Sequence, residues 1–253
     1  MTTPADRSEI CVVACAEAFR GDGELLASPI GLVPIVGARL ARHTFEPDLV
    51  LSDGEAFAVQ GTWPAGHPAD GQIEGWLPYR VIFDVAGSGR RHVIMTPSQI
   101  DSYGNANISA IGDHAKPKAQ LLGVRGAPGN AVNHPTSYWV PKHSPRVFVE
   151  AVDMVAGVGW DNARKAGEAA TEFMDLRRVI SNLGVFDWET ESRRLRVRSL
   201  HPGVSLDEVR EATGFNLEVP DQVDTTREPT ADELELIRTV IDPDGMRYKE
   251  VSV

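Results

Sequence analysis

Cysteine is scarce in this sequence, which contains only Cys11 and Cys15 among its 253 residues. The two stand at positions i and i+4 of a stretch with helical apolar spacing, and neighbours on one helix face suit a disulfide poorly. No clustered histidines accompany them and no metal-binding histidine motif occurs elsewhere, so we predict no metal site. Both cysteines are predicted to be small buried side chains.

Positive charge is also in short supply. Lys and Arg number 25 against 36 Asp and Glu, which gives a formal net charge of −11 that is spread along the chain. Nucleic acids are bound by basic stripes, and anionic membrane surfaces attract basic clusters. The charge balance therefore argues against both partners. An anionic small ligand remains possible, because it needs only local positive potential.

Long hydrophobic runs are missing, and none approaches the length of a membrane-spanning helix. The first residues lack the basic start and apolar core of a signal peptide, so we expect a cytoplasmic protein. With 42% hydrophobic and 24% charged residues, the composition is that of a globular protein with a sizeable core. No clear domain boundary is visible. We predict one domain over 1–253, in which 220–253 form a linker and a C-terminal helix.

Signatures of several enzyme classes are absent as well. There is no G-x-S-x-G, so a nucleophile elbow with a Ser-His-Asp triad is not indicated. There is no GxxxxGK[ST], which excludes a phosphate-binding P-loop, and no full GxGxxG to support a dinucleotide site. The chemistry that remains depends on carboxylates, amides and glycine-rich loops.

Segments with strand and helix periodicity alternate through most of the chain. This alternation predicts an α/β fold with an open mixed or parallel sheet flanked by helices. Helices are expected at 9–19, from Pro34 onwards, at 77–87 as a buried helix, at 205–213 and at 230–240. Strands are expected at 24–27, 47–51, 92–95, 146–150, 178–188 (two strands), 195–200 and 215–219. The charged tail after Pro243 is expected to fray.

Arginines stand at two places near these elements. The second predicted helix has an apolar face that leaves Arg39 and Arg42 on the opposite side. Arg90 and Arg91 precede the strand at 92–95, where basic residues can meet a phosphate but are more often solvated.

Polar side chains follow the predicted strand at 92–95. Gln99, Asp101, Asn105 and Asn107 carry amides or a carboxylate within nine residues. Such groups beside a buried strand need partners. One interpretation is a polar turn whose Asn and Gly residues permit positive φ. The other, which we favour when a second polar segment is included, is the rim of an active site.

The second segment is a glycine-rich loop that includes Gly126, Pro128, Gly129 and Asn130. Its backbone N–H groups can point at the negative charge that develops on an enolate or oxyanion. A carboxylate such as Asp101 would act beside it as nucleophile or general base.

Asp53 and Glu55 follow the strand predicted at 47–51, at the place where open α/β sheets bind ligands. The alternative is an Asp-Gly turn with a solvated Glu55. The spacing alone does not decide between these interpretations.

Residues 99–107, QIDSYGNAN, resemble the QVDxxGNxN segment of class I coenzyme A-transferase β subunits. Further similar segments follow in the same order: the loop at 126–129, then 146–153 (RFVExVD in the family), 179–187 (VxxxLxVFD), 203–209 and 213–215. Together they cover the chain from about residue 11 to 219. The resemblance implies an open α/β sheet, a separate α subunit and an active site at the α–β interface.

In these transferases a β-subunit glutamate in a Ser-Glu-Asn-Gly turn attacks the acyl-CoA and forms a glutamyl-CoA thioester. The matching residues here are Ser52-Asp53-Gly54-Glu55, with Asp53 at the position of the nucleophile. Aspartate is one methylene shorter than glutamate, and near-attack geometry tolerates such displacements poorly. This departure argues against the transferase reaction.

Segments 51–56, 73–78, 89–93, 136–140 and 181–187 resemble one branch of the family. This branch contains β subunits of actinobacterial hydrolases that open the last steroid ring in cholesterol degradation. The resemblance implies a bicyclic CoA thioester with ring ketones, cleaved by water in a retro-Claisen-like step without a further cofactor. It also implies an α2β2 assembly in which the α subunit supplies the main catalytic glutamate.

By this resemblance, Asp53, Glu55, Gln99 and Asp101 are the catalytic candidates, and Asn105, Asn107 and the loop at 126–130 contact substrate or CoA. Three hypotheses follow: a C–C hydrolase subunit, a true CoA-transferase with Asp53 or Glu55 as nucleophile, and a non-catalytic subunit that supports its partner.

Overall fold

The computed structural model describes residues 4–52, 54 and 56–252. The described chain packs into two compact units. Unit one consists of residues 4–95 and 226–252, and unit two consists of residues 96–225. Strands and helices alternate in both, so the predicted α/β fold is confirmed. The assignment of a single domain with a linker from residue 220 stays a prediction.

The elements follow one another in chain order. Up to residue 95 they are α1 (Arg7–Ala18), β1 (Leu26–Pro29), α2 (Leu32–Thr44), β2 (Leu51–Ser52), β3 (Phe57–Val59), β4 (Ile73–Trp76), α3 (Tyr79–Gly87) and β5 (Arg91–Met95). Unit two contains β6 (Gln99–Ile100), β7 (Ala106–Asn107), β8 (Ala110–Ile111), β9 (Ala119–Gln120), α4 (Ala127–Asn133), β10 (Thr136–Val140), α5 (Trp160–Ala166), α6 (Glu168–Thr171), β11 (Leu176–Ser181), β12 (Gly184–Asp187), β13 (Arg196–Leu200), α7 (Leu206–Glu211) and β14 (Asp224–Thr225). After it come α8 (Ala231–Glu235), a π-helical turn (Leu236–Ile241) and a 3-10 helix (Met246–Lys249).

In unit one, β1 pairs in parallel with β5, and Val50 extends the pairing on the other side of β1. Leu26 and Ala27 of β1 and residues 92–95 of β5 are buried, as expected for parallel strands covered on two faces. α1 packs closely on α2, where a Cβ added to Gly37 would lie 2.8 Å from the Cβ of Cys15. Cys11 and Cys15 are buried and unbridged, as predicted, and burial raises the pKa of both thiols.

The helix predicted at 77–87 exists as α3, but its predicted burial is wrong. None of its residues is buried, and Tyr79 and Phe83 are 82% and 55% exposed. An apolar composition allows a helix to be buried. Whether it is buried depends on whether other elements of the chain pack over it.

The prediction that the tail frays after Pro243 is also wrong. Arg247 is 3% exposed and donates to Asp242 Oδ2 at 2.8 Å and to Glu9 Oε1 at 3.1 Å. Glu250 accepts the backbone N–H groups of Leu32 and Val33 at the start of α2 (2.9 and 3.0 Å). These bonds to α1 and α2 join residues more than two hundred positions apart, and they anchor the charged tail.

In unit two, β10 and β11 are parallel, β11, β12 and β13 are antiparallel neighbours, and β14 is parallel to β13. The core is aromatic and includes Tyr138, Trp139, Phe148, Phe186 and Trp188. The strands predicted at 146–150 and 215–219 are reduced to isolated bridges at Phe148 and Glu218. Their apolar side chains enter the core from loops, which periodicity does not separate from strands.

Candidate functional site

The segment 99–107 forms a tight hairpin in which β6 and β7 pair antiparallel. Gly104 in its turn has a φ of +86°, and an added Cβ would lie 2.8 Å from Leu176 Cδ1 and from Trp188 Cζ2. Both the backbone conformation and the crowding therefore require glycine. The hairpin fixes where the four predicted polar side chains point.

Asp101 holds this turn together. Its Oδ1 accepts the backbone N–H groups of Tyr103 at 2.9 Å and Asn105 at 3.0 Å, and its Oδ2 accepts the Asn105 amide at 2.9 Å. Burial raises the pKa of Asp101, although the hydrogen bonds from Asn105 and Tyr103 act in the opposite direction.

Asn105 joins the turn to the start of α5, and its side-chain amide is fully hydrogen-bonded. Its Oδ1 accepts Gly159 N–H at 2.7 Å and Asn162 Nδ2 at 2.9 Å. Its Nδ2 donates to Asp101 Oδ2 at 2.9 Å and to Asp161 Oδ1 at 2.8 Å. Burial raises the pKa of Asp161, but bonds from Asn105 and Lys165 outweigh it and lower the pKa overall.

Gln99 and Asn107 form a second network on the same hairpin. Gln99 Oε1 accepts Asn107 Nδ2 at 2.8 Å and Asp153 N–H at 3.0 Å, and Gln99 Nε2 donates to Asp153 Oδ2 at 3.0 Å. Asn107 also donates to Ala110 O at 2.7 Å and accepts Ser109 N–H at 2.9 Å. The partners that this polar cluster was expected to need lie within unit two.

The structure thus brings Gln99, Asp101, Asn105 and Asn107 together as a buried framework that holds the segment 153–162. This geometry gives each of them a positioning role. Their assignment as catalytic or substrate-binding residues stays a prediction.

The glycine-rich loop predicted at 126–130 is a helix start. Gly126 precedes α4 with a φ of −84°, and Pro128 occupies the first turn of the helix. The N–H groups of Ala127 and Gly129 donate to Val124 O at 3.0 Å and Gly126 O at 3.1 Å. The prediction of a loop is therefore wrong: proline suits a first helical turn, and the N–H groups of Ala127 and Gly129 are hydrogen-bonded within the chain. The roles of Gly126, Pro128, Gly129 and buried Asn130 as ligand contacts stay predictions.

Asp53 and Glu55 lie outside the described residues. Their neighbours are described: Ser52 ends β2, and Gly54 has a φ of +83° with its N–H 3.3 Å from Ser52 Oγ. The positive φ of Gly54 agrees with the turn that the Asp-Gly pattern predicts, and the roles of the two carboxylates stay predictions.

A cavity of about 370 Å³ lies beside this turn within unit one. It is at the carboxyl ends of β1 and β2, which is where α/β sheets bind ligands. Its volume falls in the range of small-molecule sites. Its wall is mostly apolar, and the lining also includes Ser28, Arg39, Ser52, Trp63 and Arg91.

Arg39, which was predicted on the side of α2 opposite the apolar face, is only 8% exposed and lines this cavity. Its guanidinium carbon is 4.8 Å from the centre of the Trp63 ring, and its Nε has no hydrogen-bond partner among the described residues. Burial lowers its pKa to about 10, so the group is cationic at neutral pH. The signal available in the sequence was the stretch 33–41, in which Arg39 is the one charged residue among apolar neighbours. The structure buries α2 there on nearly all sides.

Arg91 is the second arginine at the cavity. Its Nε donates to Ser28 Oγ at 2.9 Å, and burial lowers its pKa. Of the two arginines at 90–91, Arg91 is thus partly buried and hydrogen-bonded to Ser28, whereas Arg90 is exposed.

Within the described part of the chain, no group of three or more His, Cys, Asp and Glu side chains is arranged to hold a metal ion. No helix built from those residues has the length and apolar character needed to cross a membrane.

Comparison with known proteins gives consistent results. The family model described as Coenzyme A transferase matches residues 84–212. A relative from Rhodococcus jostii (strain RHA1), the cholesterol ring-cleaving hydrolase IpdB subunit, is 51% identical over 99% of this chain and 98% of its own length. One of the subunits of a 3-oxoadipate CoA-transferase from Pseudomonas knackmussii is 32% identical over 92% of each chain.

Among solved structures, the crystal structure of Rhodococcus jostii RHA1 IpdAB contains a similar chain. The TM-score is 0.94 at 51% sequence identity, and the match covers 99% of this chain and 100% of the other. The crystal structure of glutaconate coenzyme A-transferase from Acidaminococcus fermentans matches with a TM-score of 0.82 at 22% identity, over 98% of each chain. Both matches extend over nearly the whole chain, so the similarity includes both compact units.

Proposed function

Because the chain belongs to the coenzyme A transferase family, we propose that it is the β subunit of a hydrolase that opens the last steroid ring in cholesterol catabolism. The observation that carries this proposal is the 51% identity to the Rhodococcus jostii cholesterol ring-cleaving hydrolase IpdB subunit over 99% of the chain. Its partner would be an α subunit in an α2β2 complex.

The substrate would be a CoA thioester in which a ring ketone lies β to the thioester carbonyl. Water adds to the ketone carbon, and the bond between that carbon and the α-carbon breaks. The bond's electron pair forms the thioester enolate, which is then protonated, while the former ketone becomes a carboxylic acid. The step balances without a cofactor other than the CoA of the substrate. Because CoA thioesters are cytoplasmic metabolites, we place the reaction in the cytoplasm.

The roles follow from where groups lie in each unit. Asp53 and Glu55 are the sequence neighbours of Ser52 and Gly54, which line the cavity of unit one, and we expect the two carboxylates to act there. Gln99 and Asp101 hold a framework in unit two. We expect them to shape and polarise the β-subunit side of the substrate site. The α subunit would supply the principal base.

The experiment is turnover of the purified two-chain complex in water enriched in oxygen-18. We expect ring-keto acyl-CoA to gain the mass of one water, with one heavy oxygen in the new carboxyl group. A complex that leaves several such substrates unchanged would contradict the proposal. Light scattering coupled to gel filtration measures the stoichiometry.

A second candidate is a CoA-transferase, which the 32% identity to the 3-oxoadipate CoA-transferase chain favours. In that case acyl-CoA would load Asp53 or Glu55 as a thioester, and hydroxylamine would modify that carboxylate. Turnover without any modified peptide would exclude the transferase. If instead Asp53→Ala and Gln99→Ala left an intact complex fully active, the chain would be a non-catalytic support for its partner.

A further inference from the structure

An aromatic surface on β4 and α3 of unit one is left uncovered by the described chain. Trp76, Tyr79 and Phe83 lie within eight residues and are 69%, 82% and 55% exposed, and Ile73 beside them is 56% exposed. The rings of Tyr79 and Phe83 meet edge to face, with their centres 5.2 Å apart. Contiguous exposed apolar side chains of this kind mark interaction sites. We call these four side chains the aromatic face.

The helix α3 is apolar on two sides, and only one of them is turned towards the rest of unit one. Val81, Ile82 and Val85 are half-buried, and Ile82 lines the cavity. Tyr79 and Phe83 lie on the opposite side of the helix and are exposed. A helix that packs only on its own chain needs one apolar stripe. The second apolar side therefore calls for a partner outside this chain.

The outer side of α3 also carries one charge of each sign. Arg80 and Asp84 are exposed, and neither side chain has an ion-pair or hydrogen-bond partner among the described residues. Arginine four residues before aspartate is the less favourable order for a pair within one helix. The helix has no acidic residue in its first turn and no basic residue in its last, so its dipole is not complemented either. The stability of the helix alone does not explain these two charges.

These positions are complementary to themselves when two copies of α3 run antiparallel about a two-fold axis at residue 82. Residues equally far from 82 in number then face each other across the axis. Arg80 of each copy faces Asp84 of the other copy, so two ion pairs form. The two Phe83 rings meet beside the axis. Trp76 lies over Gly87 and Ser88 of the other copy, and Gly87 has open space where a Cβ would stand.

The aromatic face is large enough for a contact between two copies. A whole aromatic side chain offers about 200 Å², so the exposed fractions of the three rings leave on the order of 400 Å² uncovered in each copy. Two copies would then bury about 800 Å² of aromatic surface. Since about two-thirds of such an interface is apolar, the whole contact comes to about 1,200 Å², which is the lower end of the range for specific interfaces.

We propose that the aromatic face binds the same face of a second copy of this chain, in an antiparallel α3–α3 contact that joins two halves of the complex. The arrangement of Arg80 and Asp84 selects this occupant, because their charges complement each other only across a two-fold axis. The inference goes beyond the proposed function and does not depend on the reaction.

The first test reverses charges in the purified two-chain complex and measures its mass by light scattering coupled to gel filtration. We expect the wild-type complex to contain two copies of this chain. Arg80→Asp sets two aspartates against each other at two places in the contact. It should weaken association of the halves by at least about a hundredfold, so that the mass falls to one half. Asp84→Arg should do the same, whereas the double variant Arg80→Asp with Asp84→Arg should restore the wild-type mass.

Arg210→Asp is the matched control, because Arg210 is an exposed arginine of another surface helix, α7, where it pairs with Asp207 at 3.2 Å. It should leave the mass unchanged. The proposal is overturned if the wild-type complex contains one copy of this chain, if the single reversals keep the mass, or if the double variant stays dissociated. Loss of the α subunit from the single variants would assign the face to that subunit and would also overturn the proposal.

The second test is cross-linking of the complex with a short bifunctional maleimide. Cys11 and Cys15 are buried, so the reagent should reach only an introduced thiol. Phe83→Cys should join two copies of this chain into a product of doubled mass on a denaturing gel. Phe173→Cys, which is 68% exposed in unit two, should not. A link from Phe83→Cys to the α subunit, or no link at all, would contradict the proposal. Neither test requires turnover, so a failure of the proposed reaction would be seen separately.

Discussion

Replacing Asn105 by alanine should destabilise the protein more than the loss of a single surface hydrogen bond would. The amide makes four hydrogen bonds, to Asp101, Asp161, Gly159 and Asn162. It is 2% exposed, so water cannot readily replace the lost groups.

The magnitude follows from which partners stay buried. The bonds to Asp101 and to the Gly159 N–H are buried, whereas those to Asp161 and Asn162 are partly exposed and can be rehydrated. Each buried group left without a partner costs about 1–3 kcal/mol, so two give about 2–6 kcal/mol, with a centre of about 4 kcal/mol. For a chain of this size, the central free energy corresponds to a decrease of about 8–16 °C in Tm.

The assay is thermal unfolding of the variant followed by circular dichroism, with Asn162→Ala as the control. The control removes one partly exposed donor and leaves Asn105 Oδ1 bonded to Gly159, so it should cost less than about 1 kcal/mol. If the Tm of Asn105→Ala lies within about 2 °C of the Tm of the wild type or of the control, the buried network is not what holds this turn.

Three further outcomes are expected. Gly104→Ala should lower the free energy of unfolding in urea titrations by about 2–4 kcal/mol, because the added Cβ would clash with its neighbours and residue 104 has a positive φ. Gly21→Ala is the control: residue 21 has a φ of +83° but open space around it, so this change should cost only about 1 kcal/mol. Asp187→Asn should be less stable than the wild type at pH 7: burial raises the pKa of Asp187, but hydrogen bonds from Arg196 outweigh it and lower the pKa overall. The stability from Asp187 is therefore present above the usual aspartate pKa and lost as pH falls through the lowered one, so urea titrations should converge below pH 4, roughly. Cys11 and Cys15 are buried with raised thiol pKa values, so a thiol reagent at about pH 8 should label neither before unfolding and both afterwards.

The segment that carries the family resemblance, 99–107, is a scaffold in this structure. Its amides and its carboxylate bond to one another and to residues 153–162 within unit two. A substitution there would change activity by moving what the scaffold holds. This is distinct from the cavity of unit one, whose arginines face a space that a ligand can fill.

Features that depend on near neighbours were predictable from the amino-acid order. At Thr230 both bonds of the capping box with Glu233 are present, and at Ser205 the hydroxyl accepts the Glu208 N–H. The turn between β11 and β12 is tight, as the pattern at 178–188 indicated. The clustering of Gln99, Asp101, Asn105 and Asn107 also indicated that partners were needed. In each case the relevant groups are only a few residues apart.

Tertiary packing decided the rest. Three partners of the Asn105 amide come from residues 54 to 57 positions away, and Glu9 accepts hydrogen bonds from Arg238 and Arg247 at the far end of the chain. Whether Arg39 is solvated or enclosed depends in the same way on Trp63 and on the strands beside α2. Local periodicity describes one element's faces, but burial and pairing are properties of the elements that pack against it. That is why the sequence indicates the fold and the family, while the buried arginine cavity becomes visible only in the folded chain.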